Sequence, residues 1–195
     1  MADDGPERAP RRRRADAERN VGALLEAAKS VFARSGVDAP AKEITDLAGV
    51  GVGTLYRHFP QRSDLVVAVL QHEIDALADA GVALGAGAEP DAALTAWLHR
   101  YTEFVGTKRG LASALHSGDP AFDALPGYFM TRLEPIVDSL LAAAAKTGDI
   151  RSDVSATEVL HAVALLCQPV PGEGLPYNQR MVTIFADGLR SALSY

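Results

Sequence analysis

An all-α fold is what this sequence predicts, and two observations carry that expectation. Apolar residues recur at three- and four-residue spacing in window after window, the period of a helix with one buried face. Apolar–polar alternation, the mark of a half-buried strand, is almost missing, while Ala and Leu dominate a chain that is 48% hydrophobic. At 195 residues the chain suits one or two compact domains and is long enough to bury a proper core.

Residues 1–14 are polar and hold Pro6, Pro10 and four consecutive arginines, Arg11–Arg14. Such a segment has no apolar surface to bury and is expected to be a disordered arm. It is either a solvated tail or a basic arm lying along a phosphate backbone or in a minor groove. A first helix is expected from about Asp16 to Ser35, because Val21, Leu24, Leu25, Ala28, Val31 and Phe32 form one stripe. Gly36 is placed to stop it in a left-handed cap. A second helix should begin near Pro40 or Ala41 and end at Ala48, with Ile44, Leu47 and Ala48 at helical spacing. The run breaks at Gly49-Val50-Gly51 and resumes as a short segment with Leu55 and Phe59 on its inner side. Two short helices joined by a tight glycine-containing turn form the helix-turn-helix pattern, whose second helix can lie in a DNA major groove. Thr54, Tyr56, Arg57 and His58 are left facing outward, a set suited to phosphates and base edges.

The string Gly49-Val-Gly-Val-Gly-Thr-Leu-Tyr-Arg-His-Phe-Pro60 resembles the recognition segment of the TetR-type (tetracycline-repressor-like) family of bacterial transcription regulators. The likeness is strong over residues 17–75 and mostly architectural beyond. It implies a three-helix reader head over residues 15–62 and an effector-binding and dimerisation domain over 63–195. It also implies that Tyr56, His58 and Arg62 hold phosphates. Arg57 offers a planar fork that can read guanine O6 and N7, at roughly 1–3 kcal/mol of discrimination. Thr54 can meet a thymine methyl or a base edge, and Gly53, without a side chain, lets the helix sit close to the bases. Lys42 and Thr45 complete the expected DNA-binding set on the preceding helix. The chain departs from the family pattern at two places. Ala39-Pro40-Ala41 stands where the family usually has a capping Ser or Thr, a loss of about 1 kcal/mol. Thr45 stands where the family usually has Ala.

Pro60 forces a break. A long helix should follow from about Gln61, with Leu65, Val66, Val69, Leu70, Ile74 and Leu77 on one side, entering the Ala/Gly-rich stretch before Pro90. Joining head to body, it is the natural lever between them, over about Gln61–Ala83. The body reads as further helices: one with Trp97, Tyr101, Phe104 and Val105, one over Gly110–His116, and a long one over Leu125–Lys146. Two more are expected, at Thr157–Cys167 and Gln179–Leu193, with a Pro/Gly-rich loop between. Trp97, Tyr101 and Phe104, with His116, Phe122, Tyr128 and Phe129, either line an apolar effector pocket or are plain core. His116 and Tyr101 are its candidate polar handles.

One head offers few contacts, so two-fold pairing on an inverted-repeat operator is expected, with readers about 34–36 Å apart. The resemblance implies that the last two helices pair as a four-helix bundle. Suitable faces are Leu160, Val163, Ala164 and Cys167 on one and Ile184, Phe185, Leu189 and Ala192 on the other. The alternative is that these are intrachain core, and the leading expectation is a mixture of the two.

The formal charge of −6 is unevenly spread: residues 1–64 carry 11 Lys/Arg against 10 Asp/Glu, and residues 65–195 carry 8 against 15. The acidity therefore lies away from the reader, and DNA affinity depends on local charge. Cys167 is the only cysteine, so no intrachain disulfide forms. No apolar run approaches the roughly 20 residues of a membrane span. A cytoplasmic protein without cofactor or membrane partner is expected. His72, His99, His116 and His161 show no metal-type pairing, and no glycine-rich phosphate loop joins strand to helix. A helical enzyme and a constitutive architectural DNA-binding protein are the alternatives to a homodimeric, ligand-responsive regulator of a palindromic operator.

Overall fold

The computed structural model describes residues 8–108 and 111–190. Among them are nine α-helices, one short 3-10 turn at Pro120–Phe122, and a lone antiparallel bridge between Ile150 and Arg190. The helices are α1 (Arg8–Ser35), α2 (Ala41–Ala48), α3 (Val52–His58), α4 (Arg62–Gly87), α5 (Pro90–Lys108), α6 (Ala112–Leu115), α7 (Leu125–Lys146), α8 (Ala156–Leu166) and α9 (Leu175–Gly188). The protein is all-α. The chain divides into two compact units, Met1–Val69 with Gly110–Phe122, and Leu70–Arg109 with Asp123–Tyr195. Helix α4 runs unbroken through the boundary at Val69 and Leu70.

In the first unit, the stripe of α1 buries Leu24, Leu25, Ala28, Val31 and Phe32, and α2 and α3 contribute Ile44, Leu55 and Phe59. The first turns of α4 add Leu65, Val66 and Val69 to the buried set. Gly36 (φ 74°) ends α1 where expected, a left-handed conformation that costs a glycine little. At the other end the helix begins at Arg8 rather than near Asp16. Residues 8–14 thus continue the helix where a disordered arm is expected. Pro10 falls in the first turn, where its missing N–H has no helical partner, and the Ala and Arg around it are good helix formers. Residues 1–7 lie outside the described residues, as do the side chains of Arg11–Arg14.

In the second unit one core runs through α4, α5, α7, α8 and α9. Trp97 is fully buried, and its indole N–H donates to the Leu77 carbonyl at 3.0 Å. That approach needs Gly81: a Cβ there would lie 2.2 Å from Ile136 Cγ2 and 2.8 Å from Trp97 Nε1. Helix α7 carries Pro135 in its interior. Pro135 has no N–H for the Thr131 carbonyl, yet the helix continues, held by Leu133, Val137, Leu140, Leu141 and Ala144 in the core. Ser155 and Glu158 start α8 as a reciprocal capping box, Ser155 N donating to Glu158 Oε2 at 2.8 Å. Helix α9 begins at Leu175, four residues before the expected Gln179, because Pro176 is tolerated in its first turn.

Candidate nucleic-acid interface

Helices α2 and α3 make the expected reader. Gly49 (φ 68°) closes α2 in the left-handed region, and Val50 N turns back to donate to the Thr45 carbonyl at 3.1 Å. Gly51 then starts α3, with Thr54 N donating to its carbonyl at 2.9 Å. Only Leu55 of α3 is buried, and Phe59 follows it into the core. At 100° per residue this anchors the helix so that Gly53 and Arg57 point directly away from the unit, with Tyr56 on one flank and Thr54 on the other. Tyr56, Arg57 and His58 are all exposed, Thr54 is half-buried, and open space surrounds the position a Cβ would take on Gly53. Arg57 makes no hydrogen bond or ion pair with another described residue, so its guanidinium is available to a ligand.

Three residues of the expected set behave differently. Thr45 is only 1% exposed, and its hydroxyl donates to the Lys42 carbonyl at 3.1 Å. It is a core residue of α2, which corrects its expected DNA contact: its place beside Ile44 on the inner face removes it from any groove. Lys42 is exposed but held by Asp46 one turn on, Nζ to Oδ2 2.6 Å. An exposed pair at this spacing contributes only about 0.3–0.5 kcal/mol, so a phosphate can displace it. Arg62 is mainly a fastener. Its Nε donates to the Val37 carbonyl at 2.5 Å, its Nη2 donates to the Ala39 carbonyl, and the guanidinium sits 5.0 Å over the Phe32 ring. Burial lowers its pKa from the ordinary arginine value, opposed by Tyr56 and Asp38 nearby. Two of its five N–H groups thus pin the α1–α2 loop, whose side-chain cap the Ala39-Pro40-Ala41 sequence lacks. Leu47, expected on the inner face of α2, is 54% exposed.

The aromatic residues expected to line a pocket divide between the units. Trp97, Tyr101, Phe104 and Phe129 stack on one another in the second, with ring centroids 5.5–6.3 Å apart. The Tyr101 hydroxyl donates to the Leu160 carbonyl at 3.1 Å, and burial pushes its pKa well up. These four fill the core against one another. Tyr128, also in the second unit, is half-buried and donates to both oxygens of Asp75, at 2.8 and 2.9 Å; Arg132 donates to the same carboxylate at 2.6 Å. His116 and Phe122 belong instead to the first unit, His116 exposed and Phe122 buried. One cleft in the second unit, of about 530 Å³, is lined by Val154, Ala162, Phe185 and Leu189 together with the charged Arg151, Asp153 and Glu158.

The residues expected to pair two chains, to be intrachain core, or to mix the two roles are for the most part core. Leu160, Val163, Cys167 and Leu189 are buried in their own chain's core, Ala164 and Phe185 are half-buried, and Ala192 lies outside the described residues. Of the expected set only Ile184 is exposed, at 56%, and Leu165, which the periodicity passed over, is 70% exposed. The strongest apolar stripe of a helix packs into its own core first. The signal for a second face was the excess: α8 stays apolar outside that stripe as well.

Among the described residues no group of three His, Cys, Asp or Glu could hold a metal ion, and no helix is long and apolar enough to cross a membrane. A helix-turn-helix head with an uncommitted arginine on its outward face, followed by a second helical unit, defines a DNA-reading regulator. Residues 24–69 match the family model described as bacterial regulatory proteins, tetR family, and residues 89–191 match the C-terminal domain of SbtR-like transcriptional regulators. The chain belongs to the TetR family of transcriptional regulators. Its fold is similar to that of a TetR transcriptional regulator from Streptomyces coelicolor, at 34% identity and a TM-score of 0.75, covering 87% of this chain and 98% of that one. It is likewise similar to a TetR regulatory protein from Mycobacterium vanbaalenii, at 34% identity and 0.71, covering 91% and 99%. Over 134 residues it is 29% identical to the HTH-type transcriptional repressor KstR of Mycobacterium tuberculosis. That alignment takes in 67% of this chain and 60% of KstR, so the chain spans less than two thirds of this curated relative.

Proposed function

We propose that this regulator is a homodimeric repressor that grips an inverted-repeat operator with α2 and α3 of each chain and lets go when a small molecule binds its second unit. The observation that carries the reading is the outward side of α3. Gly53 leaves room for bases, Arg57 offers an unengaged fork, and Tyr56 and His58 flank it for phosphates. Lys42 and the free N–H groups of Arg62 stand beside them. Repression follows the sign of KstR, which is a repressor by name. Acting on chromosomal DNA, the protein works in the cytoplasm.

Pairing of two chains is supported by Leu165 and Ile184, large apolar side chains on α8 and α9 that face solvent in the single chain. Ligand response is supported by the second unit's cleft, whose volume is in the range of small-molecule sites. For release, the ligand must favour the DNA-incompetent arrangement by about 5.5 kcal/mol to turn a 99:1 population over. Helix α4, which continues from one unit into the other, is the element to carry that change.

The test is selection of bound duplexes from a random pool. A palindromic winner is expected, and Arg57→Ala should relax base preference at one position per half-site, by about 1–3 kcal/mol. Retention of full preference by Arg57→Ala, or recovery of no duplex, contradicts the reading.

A further inference from the structure

The second-unit half of α4 is held in two ways, one buried and apolar, the other polar and open to water. In the buried contact, Trp97 donates to the Leu77 carbonyl, and Gly81 has no Cβ to keep Trp97 and Ile136 from the α4 backbone. The polar contact lies six residues nearer the start of α4, at Asp75. Its carboxylate accepts the Tyr128 hydroxyl at 2.8 and 2.9 Å and Arg132 Nε at 2.6 Å. Both donors belong to α7 and stand one helical turn apart. Arg132 and Asp75 keep 42% and 40% of their side-chain surface exposed, so water competes for these bonds. Apolar packing is non-directional and tolerates a small tilt, whereas a carboxylate gripped by two donors does not. The buried contact is thus a pivot for α4, and Asp75 is the clasp that sets its angle.

Helix α4 starts at Arg62, 19 residues before Gly81, which is about 28 Å along its axis. A tilt of about 5° about Gly81 carries that start about 2.5 Å sideways at this length. Doubled across two chains, the shift exceeds the base step of about 3.4 Å. A duplex presents its half-sites at one spacing, so a loose α4 has to be ordered on binding, at a cost in affinity. We infer that Asp75, clasped by Tyr128 and Arg132, is a positioning residue for operator binding: it holds α4 at one angle and thereby the two readers at one spacing. The inference rests on the homodimeric DNA-reading function proposed above and adds which side chains fix the phase of its readers.

The experiment measures the affinity of the full chain for three duplexes: the selected operator, the same operator with one base pair added between half-sites, and a single half-site. The unaltered protein is compared with Asp75→Ala and Tyr128→Phe, with thermal melting to show that each variant folds. Thr157→Val is the control, because it removes a 2.5 Å hydrogen bond from α8 to Glu134 of α7 in which α4 has no part. Asp75→Ala should bind the operator about fivefold more weakly, the scale of one net hydrogen bond, and the half-site within about twofold of the unaltered protein. Its penalty for the added base pair should be smaller than that of the unaltered protein. Tyr128→Phe keeps the ring, loses only the hydroxyl and should move in the same direction, so it decides the matter should Asp75→Ala not fold. Thr157→Val should match the unaltered protein on all three duplexes. Equal losses on operator and half-site mark a purely structural role and overturn the inference. An unchanged penalty for the added base pair in the clasp variants, or a relaxed one in Thr157→Val, overturns it too. If the unaltered protein binds the operator no better than a half-site, the paired-reader function falls and the inference with it, an outcome distinct from the others.

Discussion

Arg62 illustrates how one side chain can take on a structural task at a binding surface. The α1–α2 loop enters α2 without a side-chain cap, and the Arg62 guanidinium supplies donors to the Val37 and Ala39 carbonyls from the start of α4. Arg62→Lys loses the planar fork and at least one of these bonds, and should lower the stability of the free protein by about 1–3 kcal/mol in urea unfolding. Unchanged stability with weakened DNA binding would return Arg62 to a purely phosphate-binding role. The outward Tyr56, Arg57 and His58 were legible in the sequence because burial of Leu55 and Phe59 fixes the rotation of a seven-residue helix. Thr45 and Leu47 were not. In α2, Ile44 and Thr45 occupy the buried positions and Leu47 does not, so polarity alone mis-sorts the two faces of this eight-residue helix.

At the scale of elements, the long helices were read well and their ends less so. The apolar period fixed α7 at Leu125–Lys146 despite Pro135, because core burial outweighs one lost hydrogen bond. Helices α1 and α9 start earlier than the period suggests, since first turns need no apolar stripe and accept proline. In the Ala/Gly-rich half of α4, Gly81 is the point where Trp97 of α5 and Ile136 of α7 approach the α4 backbone. Gly81→Ala improves helix propensity by about 1 kcal/mol yet forces a Cβ into both side chains, and overpacking of this kind costs about 1–3 kcal/mol. The expected outcome is a lower melting temperature with altered emission from Trp97, the only tryptophan. A higher melting temperature would mean that the helices separate at little cost.

For the whole molecule, the exposed Leu165 and Ile184 connect fold to function. A stable two-fold interface covers roughly 1,200–2,000 Å², with large apolar side chains at its centre. Leu165→Asp with Ile184→Asp should fold, since neither side chain enters the chain's own core, and should sediment as a monomer, against the dimer expected of the unaltered protein. An unaltered sedimentation coefficient would place the interface elsewhere. The central claim is that two readers engage one duplex in fixed phase, and a spacing series tests it directly. Affinity is measured for the selected operator and for the same operator with about five base pairs inserted between half-sites, which turns one half-site by roughly half a helical turn. The account predicts one dimer on the unaltered duplex and a loss of affinity on insertion to near the level of a single half-site. Equal affinity for both duplexes would contradict it.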